Sequence, residues 1–210
     1  MKIVVFGASG KSGSLIVSQA LEAGHQVTAY VRNESGITQK NPNLKVVVGN
    51  LTETFKLKEA ITGADVCIST LGGGSLTHHS PEIIDGIDKI VSIMEQKGVN
   101  RIIYLSSLGA RESRFFMPQP IRFLIADIML RVPLADHNAN ENRIVNSKLN
   151  WTIVRPGGLT DNEKTGNLKF GSEKKVFKGS TSISRANVAA FILEQVSNLE
   201  FVNKSVWLTE

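Results

Sequence analysis

Three glycines, Gly7, Gly10 and Gly13, stand three residues apart directly after an apolar run, Ile3-Val4-Val5-Phe6. A helical pattern opens just beyond them at Ser14-Leu15-Ile16-Val17. A strand, a glycine turn and a helix in that order make a nucleotide phosphate site. The missing side chains let the backbone approach the phosphates, and the helix start adds N–H groups and the positive end of its dipole. Ser9, Lys11 and Ser12 lie within the turn and bring hydroxyl and ammonium donors. Gly10-Lys11-Ser12 also invites comparison with the loop that holds ATP. That loop needs four residues between its first glycine and Gly-Lys-Ser. Only Ala8 and Ser9 separate Gly7 from Gly10, and the position where the first glycine would fall is Val5. The spacing therefore favours a dinucleotide over ATP.

The end of the second strand separates the two nicotinamide dinucleotides. Sites for NAD place an acid there, roughly 20 residues past the glycines, to bind the ribose 2′-hydroxyl. This chain has Tyr30-Val31-Arg32-Asn33. The forked guanidinium of Arg32 suits a 2′-phosphate, so the expected cofactor is NADP, in its reduced form NADPH. An exposed arginine of no special role is the competing reading. His78 and His79 are adjacent in a loop, but no third ligand accompanies them and no metal site is expected.

These residues need a scaffold, and the hydrophobic pattern describes one. Ile3 to Phe6 reads as a central parallel strand buried on both faces. Val27, Ala29 and Val31 alternate through a second strand, and Leu44 to Val48 forms a third. Val66-Cys67-Ile68, Ile102 to Leu105, Trp151 to Val154 and Ser205 to Leu208 supply the rest. Helical periods run from Ser14 to Gly24, from Phe55 to Ile61, from a Ser80-Pro81-Glu82 start to Gly98, and from about Arg185 through Val188, Ile192 and Val196. Strands alternating with helices predict an α/β fold with a doubly wound parallel sheet in a single domain. Two stretches interrupt the alternation. Phe115 to Leu134 is apolar and holds Pro118, Pro120 and Pro133, and Gly157 to Ser184 is polar. Both follow strand C-terminal ends, where such sheets bind ligands. Segments 110–134 and 157–184 are therefore the expected substrate-side excursions, with a surface excursion or subunit contact as the alternative for the first.

Bulk properties bound the rest. At 210 residues with a net charge of +5 the chain fits one domain. Its basic residues are dispersed, apart from Lys174, Lys175 and Lys178, which read as a solvated loop or a weak attraction for anions. No zinc-finger spacing or basic aromatic motif argues for nucleic acid. No apolar run reaches the roughly 20 residues of a membrane span. The first strand begins at once and leaves no room for a signal peptide, and the single Cys67 fits a reducing compartment. The expectation is a cytoplasmic monomer or homodimer with a small-molecule acceptor and no membrane or nucleic-acid partner.

Several segments together resemble the atypical short-chain dehydrogenase/reductases, in the NAD(P)H-binding group that includes NmrA-like proteins and flavin reductases of the biliverdin reductase B type. They are Gly7 to Gly13, Tyr30-Val31-Arg32, Gly49-Asn50-Leu51, Ile102 to Ser107, Trp151 to Gly157, and Ile183 to Ala189. The resemblance implies a Rossmann-like fold in which the glycine loop holds the pyrophosphate and Asn50 and Leu51 flank the adenine. It implies that Thr70, Leu71 and Gly72 line the nicotinamide-side ribose, and that Pro156 and Gly157 close over the nicotinamide. Ser106 and Ser107 stand where the family brings a hydroxyl to the nicotinamide and substrate. Many of these enzymes use Tyr-x-x-x-Lys for proton transfer, but Glu34 follows Tyr30 and Leu108 follows Tyr104 at that spacing. An ordinary alcohol dehydrogenase is thereby disfavoured. His137, in Asp136-His137-Asn138 ahead of the helix leading to Trp151, resembles the histidine of the flavin reductase type. With Ser107 it is the candidate catalytic group, able to donate a proton near neutral pH. A surface or helix-end histidine, and a strand-end serine bonded to backbone, are the plain alternatives. The implied activity is NADPH-dependent reduction of a small flat acceptor such as a flavin or quinone. The alternative is a non-catalytic, dinucleotide-binding redox sensor of the NmrA-like type.

Overall fold

The computed structural model describes residues 1–72, 75–174, 177 and 181–210. Lys175 and Lys178 of the basic cluster lie outside them. Six strands build the expected sheet: β1 (Lys2–Phe6), β2 (Gln26–Val31), β3 (Leu44–Val48), β4 (Val66–Ser69), β5 (Arg101–Leu105) and β6 (Asn150–Pro156). Three short strands follow, β7 (Gly158–Thr160), β8 (Lys169–Gly171) and β9 (Ser182–Ser184), and then β10 (Lys204–Thr209). The main sheet runs β3-β2-β1-β4-β5-β6-β10-β8. Its strands are parallel except β8, which lies antiparallel on β10 at the edge. The order reverses between β1 and β4, and the carboxyl ends of those two strands open the crevice where such sheets bind ligands.

Each strand feeds both faces, because successive side chains alternate. Ile3 and Val5 of β1 join one core with α1 (Lys11–Glu22) and α6 (Arg185–Glu194), through Ile16, Ala20, Val188 and Phe191. Val4 and Phe6 point the other way, into a core with α2 (Thr54–Ile61), α3 (Pro81–Lys97) and α5 (Arg131–Val145). Cys67 is fully buried in that second core, and desolvation pushes its thiol pKa up, which leaves it an inert packing group.

The structure departs from the periodicity reading in four places. Helix α1 begins at Lys11, because Gly10 is the extended residue before it and the first turn carries no apolar residue to signal it. Ser80 stands before α3, yet its hydroxyl caps nothing, and its backbone N–H donates to Asp136 Oδ2 at 2.9 Å. Segment 110–134 is wound into helical turns: a 3₁₀ turn at Arg111–Phe116, the short α4 (Gln119–Ile121) and a widened π-helical stretch at Arg122–Met129. Pro133 falls in the first turn of α5, where a proline N–H would have had no partner in any case. His137 consequently lies inside α5, not ahead of a helix. Segment 157–184 contributes β7 and β9, paired in parallel, and the edge strand β8. Three-residue strands are too short to show a period.

A buried ion pair fixes α5 against the sheet. Arg155 of β6 is 3% exposed and meets the fully buried Glu141 of α5 twice, through Nε to Oε1 at 3.0 Å and Nη2 to Oε2 at 2.6 Å. Glu112 adds a contact to Arg155 Nη1 at 2.7 Å. Burial alone disfavours the Arg155 cation, but the bonds and charges of Glu141 and Glu112 outweigh it and hold its pKa above the ordinary value. Removing one member of such a pair strands the other in a dry interior. Glu141→Ala is expected to cost about 3–5 kcal/mol, read as a lower urea midpoint.

Candidate functional site

A cleft of about 710 Å³ runs along the carboxyl ends of β1 to β4. Its walls bring together Gly7, Ser9, Gly10, Arg32, Asn50, Leu51, Thr70, Leu71 and Gly72, nine residues predicted from separate parts of the chain. The glycine turn is shaped by close approach. Gly7 has a φ of +78°, and a Cβ there would lie 2.6 Å from Thr70 Oγ1. A Cβ on Gly13 would sit 2.2 Å from the Gly7 carbonyl oxygen. Thr70 ties the turn to β4, its hydroxyl donating to the carbonyls of Phe6 and Gly7 at 3.1 and 3.2 Å. No side chain caps the start of α1, and first-turn N–H groups have no partner within a helix. Lys11, Ser12 and Gly13 form that turn, and Lys11 Nζ reaches across to Asp161 at 2.6 Å. Arg32 is exposed on the cleft wall, with no carboxylate in ion-pair distance among the described residues. Asn50 is held through its backbone, whose carbonyl accepts from Tyr30 Oη at 2.8 Å and whose N–H donates to Glu53. Leu51 packs on Gly86 of α3, where a Cβ would come within 2.5 Å of Leu51 Cδ1.

The other candidates lie beyond Gly72. The His137 ring abuts that glycine, with Cε1 3.4 Å from where a Cβ would be. Its Nδ1 is 2.9 Å from Tyr104 Oη, which in turn accepts from Asn140 Nδ2 at 3.0 Å. Burial pushes the Tyr104 pKa up, so the phenol keeps its proton. We assign that proton to the bond with His137 Nδ1, which leaves Nε2 carrying the imidazole N–H on the Gly72 side. Burial also lowers the His137 pKa, against the opposing charges of Glu141 and Asp136. The shift favours the neutral ring, which donates a hydrogen bond through Nε2–H. Its neighbours in α5 each tether a different loop. Asp136 accepts from Ser80 N and pairs with His79 Nδ1 at 2.5 Å, and Asn138 Oδ1 accepts from Arg111 N at 2.7 Å. His79 is thus spent on a carboxylate, and no cluster of metal-binding side chains occurs among the described residues. Ser106 gives its hydroxyl to Glu141 at 2.6 Å, and Ser107 donates to the Leu108 carbonyl at 3.3 Å. Pro156 is buried at the end of β6, its carbonyl accepting from Leu108 N. These four residues stand apart from the lining of the main cleft.

The family model described as NAD(P)H-binding matches residues 7–199, almost the whole of this arrangement. The chain belongs to the NAD(P)H-binding family. An uncharacterised chloroplastic protein of Arabidopsis thaliana is 33% identical over 205 residues, covering 92% of this chain and 71% of that protein. An uncharacterised sugar epimerase of Bacillus subtilis is 27% identical over 220 residues, covering 100% and 94%. Among solved structures, the anaerobilin reductase ChuY of Escherichia coli O157:H7 superposes with a TM-score of 0.82 at 24% identity, covering 100% and 97%. A short-chain dehydrogenase/reductase of Veillonella parvula in complex with NADP gives 0.82 at 20% identity, covering 100% and 94%. At those identities the structures establish the Rossmann-like architecture.

The family's dinucleotide fits the residues present. A Cβ at Gly7 or Gly13 would collide with Thr70 or the Gly7 carbonyl and force the tight glycine turn open, and the cleft volume lies within the range of small-molecule sites. Residues that the sequence did not single out complete the site: Tyr104, Asn140, Glu141 and Asp136 as the frame of His137, and Gly86 as the seat of Leu51. A spacing signal for Asn140 and Glu141 existed, because they follow Asp136 and His137 by one helical turn.

The His137 geometry sets a pH dependence. A histidine whose folded pKa lies below its unfolded 6.5 leaves the unfolded chain holding more protons, so stability rises with pH through that window and falls as pH drops below 6.5. His25, whose pKa burial and the N-terminal charge also lower, adds a similar trend. The slope of unfolding free energy with pH below 6.5 is expected to be shallower in His137→Gln than in the native chain, by urea denaturation.

Proposed function

We propose that the chain is an NADPH-dependent reductase whose acceptor is a small flat molecule such as a flavin or quinone. Gly7, Ser9, Gly10, Lys11, Ser12 and Gly13 would hold the pyrophosphate, Arg32 the 2′-phosphate, Asn50 and Leu51 the adenine side. Thr70, Leu71, Gly72, Ser106 and Pro156 would shape the nicotinamide end. Bound there, the reduced nicotinamide supplies the hydride.

The observation that carries the reading is the half-buried His137 against Gly72, its Nδ1 in hydrogen-bond distance of Tyr104 Oη. His137 and Ser107 are the acceptor-side groups. The imidazole donates a hydrogen bond to an acceptor heteroatom and stabilises charge that develops there, as a preorganised donor does in a dry site. Neither ring nor phenol is poised to move a proton at pH 7, and a flavin or quinone can complete its reduction with a proton from water. A hollow of about 240 Å³, lined by Gly109, Arg114, Leu134 and Asn138 among others, lies on the substrate-side segment next in the helix to His137.

The same two pKa shifts support the competing reading, a dinucleotide-binding sensor without turnover. Following NADPH oxidation against a panel of flavins, quinones and dyes separates them. Turnover with at least one acceptor is expected, and tight NADPH binding without any turnover would decide for the sensor. Arg32→Ala is expected to weaken NADPH by about 1.5–3 kcal/mol, the worth of a hydrogen bond to a charged group, while leaving NADH unchanged in a fluorescence titration. Equal loss for both cofactors, or none, would remove the 2′-phosphate assignment.

A further inference from the structure

The stretch from Arg111 to Arg131 inverts the usual pattern of a surface helix. Phe123, Leu124, Ile128 and Met129 are all exposed, with Leu124 at 63% and Ile128 at 56%, while Ala126 is buried. Phe115, also exposed, lies beside them, with the guanidinium groups of Arg114 and Arg122 5.5 and 5.2 Å from its ring centre. Five large apolar side chains of one short stretch thus face solvent, and exposed apolar surface of this kind marks contact sites.

The surrounding charge identifies the partner. Arg111, Arg114, Arg122 and Arg131 flank the apolar residues. Only two carboxylates lie in the stretch, and Glu112 bonds the buried Arg155 while lying 3.9 Å from Arg111 Nε. Asp127 meets both Arg114 and Arg122, and Arg131 has no carboxylate in ion-pair distance among the described residues. A second copy docked by a two-fold axis would bring like-charged arginines together, which is unfavourable. A surface of anionic phospholipid satisfies both features: acyl chains and headgroup region take the aromatic and aliphatic side chains, and phosphates take the guanidinium groups. The chain's net charge of +5 acts in the same direction. Lying on a bilayer requires no spanning helix, and none occurs among the described residues.

We propose that this stretch is a peripheral membrane-docking face that recognises anionic phospholipid. It concerns the surface alone and does not rest on turnover at the dinucleotide site. The test is co-sedimentation of the full chain with sucrose-loaded vesicles of phosphatidylcholine alone or mixed with phosphatidylglycerol. Pelleting is expected with the anionic vesicles only, decreasing as salt rises. Two exposed-site variants, Leu124→Glu/Ile128→Glu and Arg131→Glu, are compared after circular dichroism confirms their fold. Each is expected to lose about fivefold or more of the partitioning, the effect of one basic residue near such a surface. No pelleting of the native chain, or undiminished pelleting of both variants, overturns the proposal. So does light scattering that shows a native dimer which Leu124→Glu/Ile128→Glu converts to monomer, since a second copy would then cover the face.

Discussion

Arg155 is a permanent cation placed where almost no water reaches it. Such a charge is tolerable only when every neighbouring group is arranged around it, because desolvation of an unpaired guanidinium costs several kcal/mol, on the order of a domain's whole stability. Glu141 answers it with both carboxylate oxygens, Glu112 adds a third contact, and Ser106 donates to the same Glu141. These partners come from β6, α5, the 3₁₀ turn after β5, and the end of β5 itself. The pair therefore fixes the rotation of α5 about its axis. With Glu141 aimed at Arg155, the residue one turn earlier, His137, is carried to Tyr104 and Gly72. The placement of the His137 imidazole is in this sense a consequence of a charge buried on β6.

The two ends of the site are built on different physics. At the phosphate end the design is absence: Gly7 and Gly13 leave out side chains so that strand, turn and helix can come within van der Waals contact. Little there depends on distant residues beyond Thr70. Around His137 the design is a dense hydrogen-bond network, although Asn140 Oδ1 is buried without a partner. Asp136, His137, Asn138, Asn140 and Glu141 each hold a partner outside α5, with Tyr104 shared by His137 and Asn140. Such a network tolerates change poorly, since each member removed leaves a desolvated group behind.

This contrast explains what was legible in the sequence. The parallel strands read clearly because burial on both faces makes them continuous apolar runs, and the cradle read clearly because its signal is local, seven residues from Gly7 to Gly13. Arg32 followed from its position at the end of the second strand, and Asn50 from the resemblance to the dehydrogenase/reductases. The acceptor end did not read, because its contacts are long-range: Tyr104 and His137 are separated by 33 residues, and Ser80 and Asp136 by 56. Tyr104 looked uninformative once Leu108 stood where a lysine was sought, yet its role is set by a partner on α5. The helical course of 110–134 was hidden by three prolines and by apolar residues that point outward, the reverse of the pattern from which a surface helix is recognised.

Segment 110–134 therefore does two kinds of work with one backbone. Its inner side, through Ala126 and Leu134, packs beneath Ala110 and continues into α5, whose next turn holds His137. Its outer side carries Phe123, Leu124, Ile128 and Met129. A displacement of the outer face cannot be absorbed by a flexible joint, because the π-helical stretch runs through Leu130 directly into α5 with the Leu130 N–H bonded back to Ile125. It is resisted by the Arg155–Glu141 pair at the far end of the same helix. The exposed apolar face and the imidazole beside the cleft are thus joined through α5, which the buried ion pair anchors to the sheet.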